Sequence, residues 1–136
     1  MSRFGPLFLT DTSVNFNPSA EEIVEIAELA AKEVEKFNIK PRIALLTYSN
    51  FGSADGDDAI KMRKALGILK ERNPEMIVDG EMQAHLPFNL DLLKENHPFC
   101  DLVDGGANVL VFPNLSASNI AYNLVKEIAN IEKIGP

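Results

Sequence analysis

Three features of the sequence predict an α/β domain in which helices cover a sheet. Short apolar runs alternate along the chain with longer segments of helical periodicity, the order expected of βαβα proteins. Ile43, Ala44, Leu45 and Leu46 form an unbroken apolar run, which reads as a strand buried on both faces. Three such runs lead into polar clusters: Ser49-Asn50, Asp79-Gly80-Glu81 and Pro113-Asn114. If these strands are parallel neighbours, the clusters share one crevice, because open α/β sheets bind ligands beyond the carboxyl ends of their strands.

Leu7, Phe8 and Leu9 begin a strand expected to run to about Val14. Asn17-Pro18-Ser19 stops it and starts a helix, either at Asn17 with Pro18 in the first turn or at Ser19, whose spacing to Glu22 is that of a capping box. Ile23, Ile26, Ala27, Ala30, Val34 and Phe37 put the apolar stripe of this helix on one side, and its charges lie mostly on the other. Asn38 and Pro41 end it. The central stretch RIALLTYSNFGS, residues 42–53, then begins as a strand that ends abruptly in Ser49, Asn50, Gly52 and Ser53. Asp57 or Asp58 is expected to cap a second helix, with Ile60, Ala65, Leu66 and Leu69 as its buried side. Asn73-Pro74 closes it. Met76, Ile77 and Val78 read as a short strand running directly into Asp79-Gly80-Glu81. Asn89 caps a short helix through Leu92, Leu93 and Glu95, and residues 108–112 form another buried strand, stopped by Pro113-Asn114. A last helix begins near Ser116 or Ser118, with Ile120, Leu124 and Ile128 as its apolar stripe.

The chain has 136 residues and suits one domain, residues 1–136. Its formal net charge of -7 argues against nucleic acid and anionic membranes as partners, since both call for a basic face. No apolar run approaches membrane-spanning length, and no signal peptide follows Met1. The single cysteine, Cys100, rules out an internal disulfide and fits a reducing, cytoplasmic setting.

The residues offer a small set of candidate chemistries. The loop holding Ser49, Asn50, Gly52 and Ser53 carries hydroxyl and backbone donors ahead of a helix. It suits either an anion or a plain strand-to-helix turn, and it lacks the G-x-x-x-x-G-K pattern of a P-loop. Asp79 and Glu81, two apart in a strand, would point the same way. They read as an acid–base pair, as ligands for a hard cation, or as carboxylates that hold neighbouring loops. His85, His97 and Cys100 lack the second ligand pair that zinc sites show. Neither a nucleophile elbow nor a dinucleotide fingerprint is present.

Four segments carry a family resemblance: LLTYSNFGS at 45–53, VDGEMQ at 78–83, ANVLVFPNL at 107–115 and NIAYNLVKEIANIEKIGP at 119–136. In order and spacing they resemble the phosphate acetyl/butyryltransferase family. The opening LFLTDTSVNFNPSAEEIVEIA, residues 7–27, together with SNFGS, resembles in particular the transferase-like C-terminal part of bacterial NADP-dependent malic enzymes. The resemblance implies a three-layer α/β/α fold with a mixed or mostly parallel sheet, similar to isocitrate and isopropylmalate dehydrogenases. It also implies that this chain is the smaller, inserted part of that fold and one wall of its cleft. Active transferases of the family carry a lysine before ANVL and a K-L-V-Q-R-L pattern in the last helix. Here Gly106 and Glu127 stand in those places, and a carboxylate at 127 would repel phosphate. The family's serine–arginine pair would follow Pro136.

The resemblance thus implies a regulatory fragment of a malic enzyme that serves oligomerisation, at least as a homodimer, and acetyl-CoA sensing. NADP and a divalent metal would belong to the parent's other part, with no cofactor in this chain. The cleft candidates are Ser49, Asn50, Gly52, Ser53, Asp79, Glu81 and Asn114, with no catalytic or metal-binding residue among them. The alternatives are a fragment of an active phosphate acetyltransferase and a purely structural assembly domain.

Overall fold

The computed structural model describes residues 5–10 and 16–128. Four strands form one parallel sheet in the order β1-β4-β2-β3. They are β1 (Phe8–Leu9), β2 (Arg42–Leu46), β3 (Ile77–Met82) and β4 (Val109–Val111). Helices α1 (Ala20–Glu35) and α2 (Asp57–Arg72) cover one face, where Ile43, Leu45, Val78, Val109 and Val111 meet Ile23, Val24, Met62 and Leu69. A 3-10 turn (Leu86–Phe88), α3 (Leu90–Asn96) and α4 (Leu115–Ile128) lie against the other, where Ala44, Leu46, Met82 and Leu110 meet Leu86, Leu93 and Leu102. The fold is therefore a three-layer α/β/α arrangement, parallel in all its pairings. Side chains of β2 alternate between the two cores, which explains why its sequence shows no polar period.

Helix α1 starts at the Ser19 capping box, with Ser19 Oγ accepting from the Glu22 N–H and the Glu22 carboxylate accepting from the Ser19 N–H. Its buried stripe is Ala20, Ile23, Val24, Ala27, Ala31 and Val34. Phe37 falls beyond the helix, 64% exposed, with its ring against Phe8. Gly56, not Asp57 or Asp58, is the N-cap of α2, and both aspartates lie in the first turn, where they suit the positive helix end. The buried side of α2 is Ala59, Met62, Ala65 and Leu69; Ala65 and Leu69 are as expected and Leu66 packs half-buried against the core, but Ile60 is exposed. Asn89 caps α3 by accepting from the Leu92 N–H.

Two corrections bear on the site. The strand expected to stop at Val78 continues to Met82, so Asp79, Gly80 and Glu81 lie inside β3 and not beyond its end. In α4, Ile120, Leu124 and Ile128 do not face the core. They are 64%, 56% and 75% exposed, and Ser118 is the helix's one buried residue. The helix meets the sheet layer through the smaller Ala117 and Ala121. The strand expected to extend to Val14 is described only as far as Leu9, and residues 11–15 lie outside the described residues.

Candidate ligand cleft and its clamped loop

Because all four strands are parallel, their carboxyl ends open on one edge of the sheet. The segments after β4 and β2 supply most of the polar side chains there. After β4 the chain turns through Pro113 and Asn114 into α4. Asn114 Oδ1 accepts from the Ala117 N–H, so this residue caps the helix, and its amide donates to Asp58 Oδ2 at 3.1 Å. Lys61 reaches across from α2. Its ammonium donates to the Pro113 carbonyl at 2.6 Å and to Asn17 Oδ1 at 2.8 Å, with Asp58 at 3.7 Å. Phe16, Asn17, Asp58, Asn114, Leu115, Ser116 and Asn119 line a surface cleft of about 610 Å³ at this place. Three amides, the Ser116 hydroxyl and a carboxylate already matched by Lys61 suit it to binding a polar ligand. Neither histidine nor cysteine lines it.

The loop after β2 is held differently. Ser49 is fully buried, and its hydroxyl donates to Glu81 Oε2 at 2.7 Å while accepting from the Ala54 N–H. The same Glu81 oxygen accepts from the Gly52 N–H at 3.2 Å, and the Phe51 N–H donates to the Glu81 carbonyl. Arg63, on α2, makes a two-pronged bond to the Glu81 carboxylate, with Nη2 at 2.7 Å and Nε at 3.1 Å, and it also donates to the Ala54 carbonyl. Asn50 Oδ1 accepts from the Gln83 N–H, and Ser53 Oγ accepts from the Asn50 N–H. The Ser49 N–H bonds Thr47 Oγ1, and the Ser53 N–H bonds the Asn50 carbonyl. Every backbone N–H from 49 to 54 is thus spent inside the protein. Gly52, at φ +90°, takes the left-handed conformation that brings its N–H onto Glu81.

Asp79 and Glu81 do not act as a pair. The register between β2 and β3 slips by one residue, Leu45 opposing Gly80 and Leu46 opposing Met82, so Glu81 is the extra residue of a bulge. Strict alternation would put both carboxylates on one face; the bulge sends Glu81 toward α2. Asp79 turns to the opposite layer, where it accepts from the Asp101 N–H at 2.9 Å and from the Gly80 N–H. Each carboxylate thus holds a neighbouring loop. Burial pushes the Glu81 carboxyl up, but bonds from Arg63, Ser49 and Gly52 outweigh it and hold the group below its ordinary 4.5. The bond to Glu81 is also the chief reason that the Arg63 guanidinium is pushed up.

The remaining sequence candidates separate. Burial, with the charges of Asp79 and Asp101, pushes the Cys100 thiol up to about 12 against a bond from the Leu102 N–H. The His97 ring packs on Phe51 and Phe99. Among the described residues no group of three or more His, Cys, Asp or Glu is placed to hold a metal ion. Of the seven cleft candidates, Asn114 lines the cleft, Ser49, Gly52 and Glu81 meet in the loop clamp with Asn50 and Ser53 bracing it, and Asp79 stands apart. Sequence reasoning missed Lys61 and Arg63. The available signal for Arg63 was the position of Glu81 inside an apolar strand, because a buried carboxylate calls for a cation.

The family model for phosphate acetyl/butaryl transferases matches residues 2–136. The chain belongs to this family. It is 51% identical over 132 residues to the NADP-dependent malic enzyme of Haemophilus influenzae, covering 97% of this chain and 17% of that protein. Against the NADP-dependent malic enzyme of Escherichia coli, identity is 45% over 122 residues, 90% of this chain and 16% of that protein. The phosphate acetyltransferase of Bacillus subtilis is 37% identical over 126 residues, 93% of this chain and 39% of that protein. Among solved structures, a phosphotransacetylase from Streptococcus pyogenes superposes with a TM-score of 0.90 at 31% identity, over all of this chain and 41% of that one. One from Staphylococcus aureus gives 0.87 at 31% identity, over 94% of this chain and 40% of that one. The chain therefore spans about a sixth of these malic enzymes and two-fifths of the transferases.

At one of the family's expected lysine positions, the local backbone requires glycine. Gly106 has φ +73°, and a Cβ there would collide with the Pro87 carbonyl oxygen. A side chain at 106 would require this turn to shift. Glu127, the other departure, is exposed on α4.

Proposed function

We propose that this chain is part of the acetyltransferase-like regulatory domain of an NADP-dependent malic enzyme, where it assists oligomerisation and senses acetyl-CoA. The observation that carries this reading is the identity of 51% to a malic enzyme over nearly the whole chain, against 37% for a phosphate acetyltransferase. Gly106 supports it, since the turn has no room for the lysine expected of an active transferase. In this reading the cleft beside Asn114 and Ser116 takes the acyl-CoA, and oxidative decarboxylation of malate, with NADP and a divalent metal, takes place in sequence outside this chain. The exposed stripe of α4 supports the oligomerisation half, because an amphipathic helix with one buried residue offers a face for association.

The second reading is a fragment of an active phosphate acetyltransferase, favoured by the TM-score of 0.90 to a phosphotransacetylase. One experiment separates them. The complete parent protein and a version lacking residues 1–136 are assayed for malate-dependent NADP reduction as acetyl-CoA is added, with acetyl phosphate formation followed in parallel. An acetyl-CoA response that is present in the parent and lost in the truncated form supports the regulatory reading. Acetyl phosphate formation without malate activity overturns it in favour of the transferase. No ligand response, with loss of assembly on truncation, leaves a purely structural role.

A further inference from the structure

The loop at 49–54 has the composition of an anion site and the geometry of one already filled. Gly52 turns its N–H inward, Ser49 points its hydroxyl the same way, and Arg63 brings a guanidinium to the same point. What they surround is the chain's own Glu81 carboxylate, its side chain 1% exposed. We propose that Glu81 is the loop's resident anion: a positioning residue that fixes the 49–54 loop in cis and closes it to external carboxylate or phosphate.

A free anion-binding loop needs donors pointing at an empty place. Here the N–H groups of residues 49–54 all have internal partners, and the carboxylate, carried by β3, takes its contacts from α2 and the loop itself. Three separate segments therefore converge on one negative charge. If that charge is removed, Arg63, Ser49 and Gly52 are left with their donors around a hole of matching polarity. An external phosphate cannot reach them while Glu81 is present, because it would meet a buried like charge. A ligand of the neighbouring cleft must then find its polar contacts on the Asn114 and Ser116 side.

The test uses the whole chain and the substitution Glu81→Ala, which deletes a CH₂–COO⁻ group that acetate can replace. Thermal melting is followed with sodium acetate, with acetamide as the neutral isostere, and with sodium chloride at the same ionic strength. The expected result is a rise in Tm that grows with the logarithm of acetate concentration above its Kd, reaching about 5 °C for the variant at roughly tenfold excess of acetate over that Kd. Acetamide and chloride should give no such rise, and wild type should show none with acetate. Adding Arg63→Ala to the variant should abolish the effect. Equal stabilisation by acetate and acetamide would mean simple cavity filling and would overturn the proposal, as would no stabilisation by either. If Glu81→Ala does not fold under any of these conditions, Glu81→Gln decides by amide hydrogen exchange. Exchange at Gly52 at least tenfold faster than in wild type supports the proposal, and an unchanged rate overturns it.

Discussion

Glu81 shows how one residue ties three segments together. Its carboxylate is buried, it is bound by Arg63, Ser49 and Gly52, and it is held ionised below its ordinary 4.5. A carboxyl whose folded value is depressed contributes stability that is fully present above its unfolded value and is lost as the pH falls through the folded one. Urea unfolding of the wild type should therefore weaken progressively below about pH 4.5. Glu81→Gln should cost about 2 kcal/mol at neutral pH, the scale of hydrogen bonds to a charged group, and should flatten that acid limb. Arg63→Ala should lower the urea midpoint at pH 7 and also remove the acid-dependent loss. Without the guanidinium, burial is less opposed and Glu81 protonates more readily in the folded state. An acid limb of wild-type steepness in both variants would show that other carboxylates carry it.

Among the elements, α4 is the least anchored of the long helices. Helix α1 buries six residues of its sixteen, whereas α4 buries Ser118 alone of its fourteen. Local stability follows buried apolar contact, so α4 should open independently of the sheet. Native-state hydrogen exchange on this chain should show α4 amides exchanging at least tenfold faster than those at the centre of α1. Equal protection would mean that α4 is held by contacts other than those of its small inner face. For the same reason Ile120→Ser and Leu124→Ser should change the stability of this chain by less than about 0.5 kcal/mol. The bulge in β3 is the other element with consequences. One extra residue redirects Glu81 to α2 and leaves Asp79 facing the 100–102 turn, so two carboxylates that sit close in sequence serve different loops.

The whole molecule is a parallel sheet with both faces covered and its carboxyl edge open, and the cleft lies on that edge beside α4. Its side chains divide into those that build and those that are free to bind. Asn114 and Lys61 hold the loops together, so changing them perturbs the scaffold. Ser116 and Asn119 are exposed on the first turns of α4. If the cleft takes an acyl-CoA in the parent enzyme, Ser116→Asp and Asn119→Asp should weaken the acetyl-CoA response tenfold or more through repulsion of phosphate, with melting unchanged. An unaltered response in both would move the ligand elsewhere.

Much was readable from residues because it rests on local rules. The α/β class, the Ser19 capping box, the Asn89 cap and the doubly buried strand at 42–46 follow from periodicity, hydrogen-bonding side chains near helix ends and the burial of a strand between two layers. The family was legible too, because LLTYSNFGS, VDGEMQ and ANVLVFPNL stand in order along the chain. What depended on distance in sequence was decided only by the tertiary structure. Arg63 meets Glu81 across 18 residues and Asn114 meets Asp58 across 56, and no local pattern encodes either partner. The direction of Glu81 depends on a bulge defined by the register of two strands. The exposure of Ile120, Leu124 and Ile128 depends on which face of α4 packs on the sheet layer, and that face is the one carrying Ala117 and Ala121, not the more hydrophobic one. Sequence by itself determined the elements, their order and the family; packing decided which polar groups were spent on the scaffold and which remained free to bind.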